Sequence, residues 1–247
     1  MGRQDKRCEA LVLRYSDYGE ADRILTLLTA EHGLQKGFAR SARKSRKRFG
    51  ATLEPFTKAV FHWREGRGDL LSLQGADLVD AHFGLRHDIK RLALAGYGVE
   101  LVELLSEEGE PFPRVYELLS SFLGYLDHGG NFEAARLLFE LRLIYLLGYI
   151  PHLLHCSDCL RVFNHEDIRF DANRGGSLCL DCADSTSLII SLGTVGSLAR
   201  SLKVAHDLFN GFQFGEKTCR EAHLALEQVL GLVLPREPKS LKFLAQL

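Results

Sequence analysis

The sequence predicts an α+β protein: a small N-terminal β-barrel followed by a mostly α-helical part that carries an inserted four-cysteine zinc module. Three observations predict it. Residues 9 to 80 run as short β-branched and aromatic stretches punctuated by Gly and Asp turns. Past residue 83 the apolar period changes from two to 3.6. Two matched pairs, Cys156-x2-Cys159 and Cys179-x2-Cys182, lie 19 residues apart among the helical segments.

In chain order, strands are expected over Glu9 to Tyr15, Arg23 to Thr29, Gln35 to Arg40, Leu53 to Arg64 and Asp69 to Val79. Turn signals at Asp17-Tyr18-Gly19-Glu20, His32-Gly33 and Gly66-Arg67-Gly68 separate them. Five short strands in this length cover one core only by curling into a barrel, for which an OB-fold is one solution. Spacing alone does not separate it from an SH3-like barrel.

Val115, Leu118, Leu119, Phe122, Leu123 and Leu126 line one helical face, with Pro113 in the first turn, where its missing N–H costs nothing. Asn131 is placed to cap a helix running to about Leu147, and Gly148 with Pro151 ends it. Further helices are expected over Ser191 to Phe209 and Glu216 to Leu234. The division read from these patterns is 1–80 for the barrel, 81–152 for a first helical part, 153–187 for the zinc module and 188–247 for a second helical part.

Cys156, Cys159, Cys179 and Cys182 have the spacing of a four-thiolate zinc site, one structural ion per chain. The loop between the pairs reads as a hairpin turning at 171–176. A closed set of four sulfurs leaves no coordination position for catalysis. His152, His155 and His165 are close enough in sequence to replace one sulfur. The polar start MGRQDKRCEA lacks an apolar segment of the secretory kind, which argues against disulfides and for a cytoplasmic location. Cys8 and Cys219 read as buried thiols.

Net charge is −1, yet residues 1 to 50 hold 12 Lys/Arg against 6 Asp/Glu while residues 51 to 130 hold 7 against 13. A near-neutral total therefore does not exclude a polyanionic partner. No acid occurs between Glu31 and Glu54, where Lys36, Arg40, Arg43, Lys44, Arg46, Lys47 and Arg48 fall. Such crowding is relieved when phosphates replace counterions, so the stretch reads as a mobile nucleic-acid-binding loop between strands. Phe61 and Trp63 share one strand face and either stack on bases or fill the barrel. Arg136, Arg142, Arg200 and Lys203 are candidates for a second basic surface.

Glu100, Glu103, Glu107, Glu108 and Glu110 could in principle hold catalytic metals. The helical spacing of Glu100, Glu103 and Glu107 beside Leu101, Leu104 and Leu105 instead describes a solvated helix face. No phosphate-binding loop, His-Glu-x2-His or Gly-x-Ser-x-Gly motif is present, so the chain does not read as an enzyme. No apolar stretch has the length that would span a bilayer.

The stretch EALVLRYSDYGEADRILTLLTAEHG at 9–33, the basic run, ELRLIYLLGYIPHLLHCSDCL at 140–160, GGSLCLDC at 175–182 and the tail PREPKSLKFLAQL together resemble the RecO family of bacterial recombination mediators. The resemblance implies an N-terminal OB-fold, a helical C-terminal part and zinc at the cysteine pairs. It also implies binding of single- and double-stranded DNA, annealing of complementary strands, and work within the RecFOR pathway in the bacterial cytoplasm, at the nucleoid. The implied partners are RecR, the C-terminal tail of the single-strand-binding protein and, indirectly, RecA. The implied DNA contacts are Arg14 and Arg23 on the barrel and Lys36, Arg40, Arg43, Lys44, Arg46, Lys47 and Arg48 on the loop. The alternative is a zinc-containing OB-fold transcription or RNA-binding factor, which strong sequence preference or discrimination for the 2′-hydroxyl would favour.

Overall fold

The computed structural model describes residues 6–45, 47–65, 70–164 and 167–247. Arg46, the Gly66-Arg67-Gly68 turn, Asp69 and His165 lie outside the described residues. Two compact units divide the chain, residues 1–129 and 130–247. The first therefore takes in two helices beyond the barrel strands.

Strands β1 (Lys6–Tyr18), β2 (Asp22–Thr29), β3 (Gly33–Ala39), β4 (Lys58–Arg64) and β5 (Leu70–Asp80) close into a barrel in the order β1-β2-β3-β5-β4. All neighbours are antiparallel except β3 and β5, which run parallel. That crossover makes the barrel OB-like. β1 closes it by pairing with β2 on one side and β4 on the other, and a register shift between Val12 and Arg14 bends it to do so.

Alternate side chains fill the interior: Ala10, Val12, Leu25, Leu27, Ala59, Phe61, Trp63 and Leu73. Phe61 and Trp63 are thus barrel core and offer no surface for base stacking. Leu11, Leu13 and Leu28 point the other way and are buried as well. Helix α1 (Ile89–Leu105) begins where the Asp88 side chain accepts from the N–H groups of Lys90 and Arg91. Helix α2 (Pro113–Asp127) contacts β2, and its Tyr116 hydroxyl donates to Glu9 of β1 at 2.7 Å. Burial first, then Glu9, raises the Tyr116 pKa.

The strand expected from Leu53 starts late, at Lys58. Pro55 has no N–H to give a ladder, and Phe56 sits at φ 71°, donating its N–H to the Val12 carbonyl at 2.8 Å. Residues 53–57 are therefore a turn packed on β1, with Leu53 in the barrel core.

In the second unit, α3 (Phe132–Leu146) is capped as expected by the Asn131 side chain, which accepts from the Ala134 N–H at 2.9 Å. Gly148 ends the segment at φ 84°. A three-stranded sheet follows, β6 (Ile168–Asp171), β7 (Gly176–Leu178) and β8 (Leu188–Ile190), in the order β7-β6-β8. Then come α4 (Leu192–Ser201), α5 (Glu216–Val233) and α6 (Lys239–Leu244). Glu221 of α5 holds the start of α4 by accepting from the Ser191 N–H, the Ser191 hydroxyl and the Thr194 hydroxyl. Burial opposes its charge, but these donors outweigh burial and lower the carboxyl pKa.

Arg142 corrects the sequence reading twice. Expected on a basic surface, it is buried, donating to the carbonyls of Leu208 at 2.7 Å and His206 at 3.2 Å and lying against the rings of Phe209 and Phe212. The chain leaves α4 at Ser201 and wraps this guanidinium, so the helix expected to reach Phe209 stops early. Burial lowers the Arg142 pKa to about 10, against the pull of Asp207, which leaves it charged at neutral pH. Arg136 is likewise committed, to the buried Glu140 at 2.9 Å.

Arg142→Met should destabilise the second unit by about 1–3 kcal/mol in urea unfolding, because part-buried carbonyls lose their donor. Unchanged stability would show that solvent supplies those carbonyls instead.

Candidate nucleic-acid interface and metal centre

The described residues of the basic run form a hydrogen-bonded turn between β3 and β4. A 3-10 turn at Ala42–Lys44 starts from Ser41, whose N–H donates to Asp22 at 2.6 Å, and the Arg43 N–H donates to the Ala21 carbonyl at 3.1 Å. At its far end the Arg48 carbonyl accepts from Ala76 of β5 at 2.8 Å. Ala39 on one side of the charges and Phe49 and Leu53 on the other are buried in the barrel core, as is Ala42 among them. Ala39 and Phe49 flank the charged positions, and within the run only the small side chain of Ala42 is buried, which is why the nine-residue run alone looks unattached.

Arg40, Arg43, Lys44, Lys47 and Arg48 are exposed on this turn. Arg48 braces it by donating to the Arg40 carbonyl at 2.7 Å and the Ser45 hydroxyl at 2.9 Å. Among the described residues no acid pairs with Arg40, Lys44, Lys47 or Arg48, and Arg43 comes only within 3.9 Å of Asp17.

The remaining expected contacts are engaged. Arg23 is largely covered, held by Asp17 and Glu54 at 3.1 Å each, and lies 3.8 Å from the centre of the Tyr15 ring. Burial alone would lower its pKa; the two carboxylates reverse that and raise it. Arg14 and Lys36 share a cross-strand row through Thr26, away from the interior. Arg14 pairs with Glu103 at 2.6 Å and Lys36 pairs with Glu108. The turn that follows α1 reaches Lys36 because the Gly109 N–H donates to the Leu34 carbonyl at 3.0 Å. Sequence spacing places Glu103 on a solvated helix face and Glu108 only in an acidic cluster, and their partners lie too far away in sequence for any periodicity to reveal. Of the aromatics, Tyr18 is exposed and meets the half-buried Phe38 edge to face at 6.0 Å, two residues before Arg40.

In the second unit the four cysteine sulfurs lie within 4.8 Å of one another, and no histidine joins that group among the described residues. Cys159 and Cys179 sulfurs are 3.7 Å apart. A tetrahedral ion with bonds near 2.3 Å sets sulfurs about 3.8 Å apart, so the donor set fits zinc in type and size. Burial works against the Cys156 thiolate, but backbone N–H groups of Cys159, Cys179 and Asp158 outweigh it and lower its pKa to about 6. The Cys179 thiol and burial push Cys182 up to about 12. Four thiolates so close need a cation to coexist.

Backbone approach brings the pairs together. The His152 carbonyl accepts from the Ser177 N–H and the His152 N–H donates to the Gly175 carbonyl, each at 2.9 Å, and the Ser157 N–H donates to the Ser177 carbonyl at 2.8 Å. Gly176 permits this at φ 125°, since a Cβ there would lie 2.5 Å from the His152 oxygen. Arg174 pairs with Asp158 and Asp184, and Arg161 with Asp181, so each arginine ties one cysteine turn to the other. The sequence reading missed these braces. Their signal is the Asp that precedes the second cysteine in both pairs, Asp158 and Asp181.

Two family models match the chain, Recombination protein O N terminal over residues 1–82 and Recombination protein O C terminal over residues 86–242. A DNA repair protein RecO from Syntrophotalea carbinolica is 51% identical over 241 residues, covering 97% of this chain and 93% of that protein. A protein of the same name from Geobacter metallireducens is 37% identical over 246 residues, covering 99% and 98%. One from Anaeromyxobacter sp. (strain K) is 43% identical over 193 residues, covering 77% and 76%.

Gly176→Ala should lower stability by about 1–3 kcal/mol through backbone strain and weaken metal retention, read by thermal unfolding and metal analysis. Gly196→Ala in α4, where a Cβ meets nothing within 4 Å, is the control and should leave both unchanged or slightly improved. Equal behaviour of the two variants would remove the role given to Gly176.

Proposed function

Because the chain belongs to the RecO family of DNA repair proteins, we propose that it is a recombination mediator that binds single- and double-stranded DNA, anneals complementary strands and helps load recombinase onto DNA coated with single-strand-binding protein. The observation that carries this reading is the turn at residues 40–48, whose exposed cations have no acidic partner in close contact among the described residues.

Two single strands repel through their phosphates, and a protein that neutralises both while leaving bases accessible lowers the barrier to pairing. Arg40, Arg43, Lys44, Lys47 and Arg48, with Arg46 beside them in sequence, hold backbone in this scheme. Tyr18 and Phe38 offer a ring edge and face where a base can stack. Arg14 and Lys36 join by exchanging Glu103 and Glu108 for phosphate; the Lys36–Glu108 pair is exposed on both sides, and such pairs are worth about 0–1 kcal/mol. Arg23, already committed to two carboxylates, shapes the surface from below. Arg200 and Lys203, both exposed, remain for a second strand.

Cys156, Cys159, Cys179 and Cys182 hold one Zn2+ in a structural role: the ion neutralises four thiolates and fixes the two cysteine turns. The reading further places the protein in the bacterial cytoplasm, at the nucleoid, with RecR, the tail of the single-strand-binding protein and RecA as partners. It needs no catalytic residue.

Annealing of complementary oligonucleotides coated with single-strand-binding protein tests the reading. A variant with Ala at Arg43, Lys44, Arg46, Lys47 and Arg48 should anneal at least about tenfold more slowly, five lost phosphate contacts being enough to weaken binding by orders of magnitude. Equal annealing by both proteins would sink the assignment.

A further inference from the structure

A second set of metal-binding donors lies in the barrel unit, far in sequence from the four cysteines. The thiol of Cys8, the imidazole of His32 and the carboxylate of Glu31 each offer one atom, and the three atoms lie within 4.8 Å of one another. Cys8 is on β1 with the parity of Ala10 and Val12, and it packs at the margin of the barrel core. Glu31 and His32 form the β2–β3 turn, with a glutamate oxygen 3.9 Å from the His32 Nε2. From these donors we propose that Cys8, Glu31 and His32 form a further metal site, taking one divalent cation of the zinc or cobalt class.

The donor types decide the class of ion. One sulfur, one imidazole nitrogen and one carboxylate oxygen suit borderline cations such as Zn2+ and Co2+, whereas Mg2+ and Ca2+ ask for oxygen alone. Three protein donors leave a fourth tetrahedral position for water.

The turn is also held from outside, so its donors are placed before any ion arrives. The His32 N–H donates to the Thr29 hydroxyl at 3.0 Å, that hydroxyl donates to the Gly33 carbonyl at 3.3 Å, and the His32 carbonyl accepts from Gln35 at 2.7 Å. Gly33 takes φ 60°, and a Cβ there would lie 1.8 Å from the Glu110 oxygen. The His32 ring meets Trp63 edge-on at 5.8 Å. Bound there, the ion ties the β2–β3 turn to β1 and closes that end of the barrel.

Trp63 is the sole tryptophan of the chain, which makes it a local reporter. The full chain, with its four-cysteine site first filled by zinc, would be titrated with Co2+ under a non-thiol reductant. Saturable quenching of Trp63 at one cobalt per chain, a cobalt–thiolate absorption band, and a rise in melting temperature with added metal are expected. Cys8→Ser should abolish the band. Cys8→Ser and His32→Gln should each weaken binding at least about tenfold, since loss of even the outer partners of metal ligands costs about 10–100-fold. If Cys8→Ser does not fold, Glu31→Gln at the exposed position and His32→Gln carry the comparison. The proposal is overturned if quenching is absent or unsaturable, or if it proceeds unchanged in folded variants.

Discussion

Like charges repel, and the first unit must hold at least five cations together on one short turn. What opposes the repulsion is burial immediately beside them: Ala39 and Phe49 bracket the run and sit in the barrel core with Ala42 and Leu53. Hydrogen bonds from Ser41 to Asp22 and from Ala76 to the Arg48 carbonyl fix the two ends to different strands. The charges cannot separate without pulling aromatic surface out of the barrel, which at about 25 cal/mol per Å2 outweighs the mutual repulsion of solvated side chains. Interior packing thus keeps the surface charge dense.

The same unit neutralises the cations it does not leave free. Arg14, Lys36 and Arg23 each meet a carboxylate of another segment, from the end of α1, the turn after it, or the residues before β4. Positive charge from the first 50 residues and negative charge from the next 80 are therefore partly cancelled by the fold, and among the described residues a dense group of uncancelled cations lies at residues 40–48. A uniform basic surface would bind polyanions everywhere; this arrangement concentrates positive charge at residues 40–48 among the described residues.

Much of this was legible in local pattern. Alternating apolar residues gave most of the strands, the spacing from Val115 to Leu126 gave α2, and Asn131 marked the start of α3. The cysteine spacing gave the four-sulfur cluster, a donor set that could hold a metal ion, because donors with fixed offsets are local information. Strand order was not legible, since the parallel pairing of β3 with β5 depends on contacts more than 30 residues apart. Residues 53–57 read as strand because they are apolar, but Pro55 and the φ of Phe56 made them a turn. Arg142 read as surface by its charge alone, and only the wrapping of residues 201–208 around it shows otherwise. Charge partners fail for the same reason: Arg14 and Glu103 stand 89 positions apart.

The salt dependence of duplex DNA affinity tests the central claim most directly, because each neutralised phosphate adds about −0.9 to the slope of log affinity against log salt. Replacing Arg43, Lys44, Arg46, Lys47 and Arg48 by Ala should make that slope shallower by about 4 to 5. An unchanged slope, with affinity lowered or not, would contradict the claim and move the DNA contact elsewhere on the molecule.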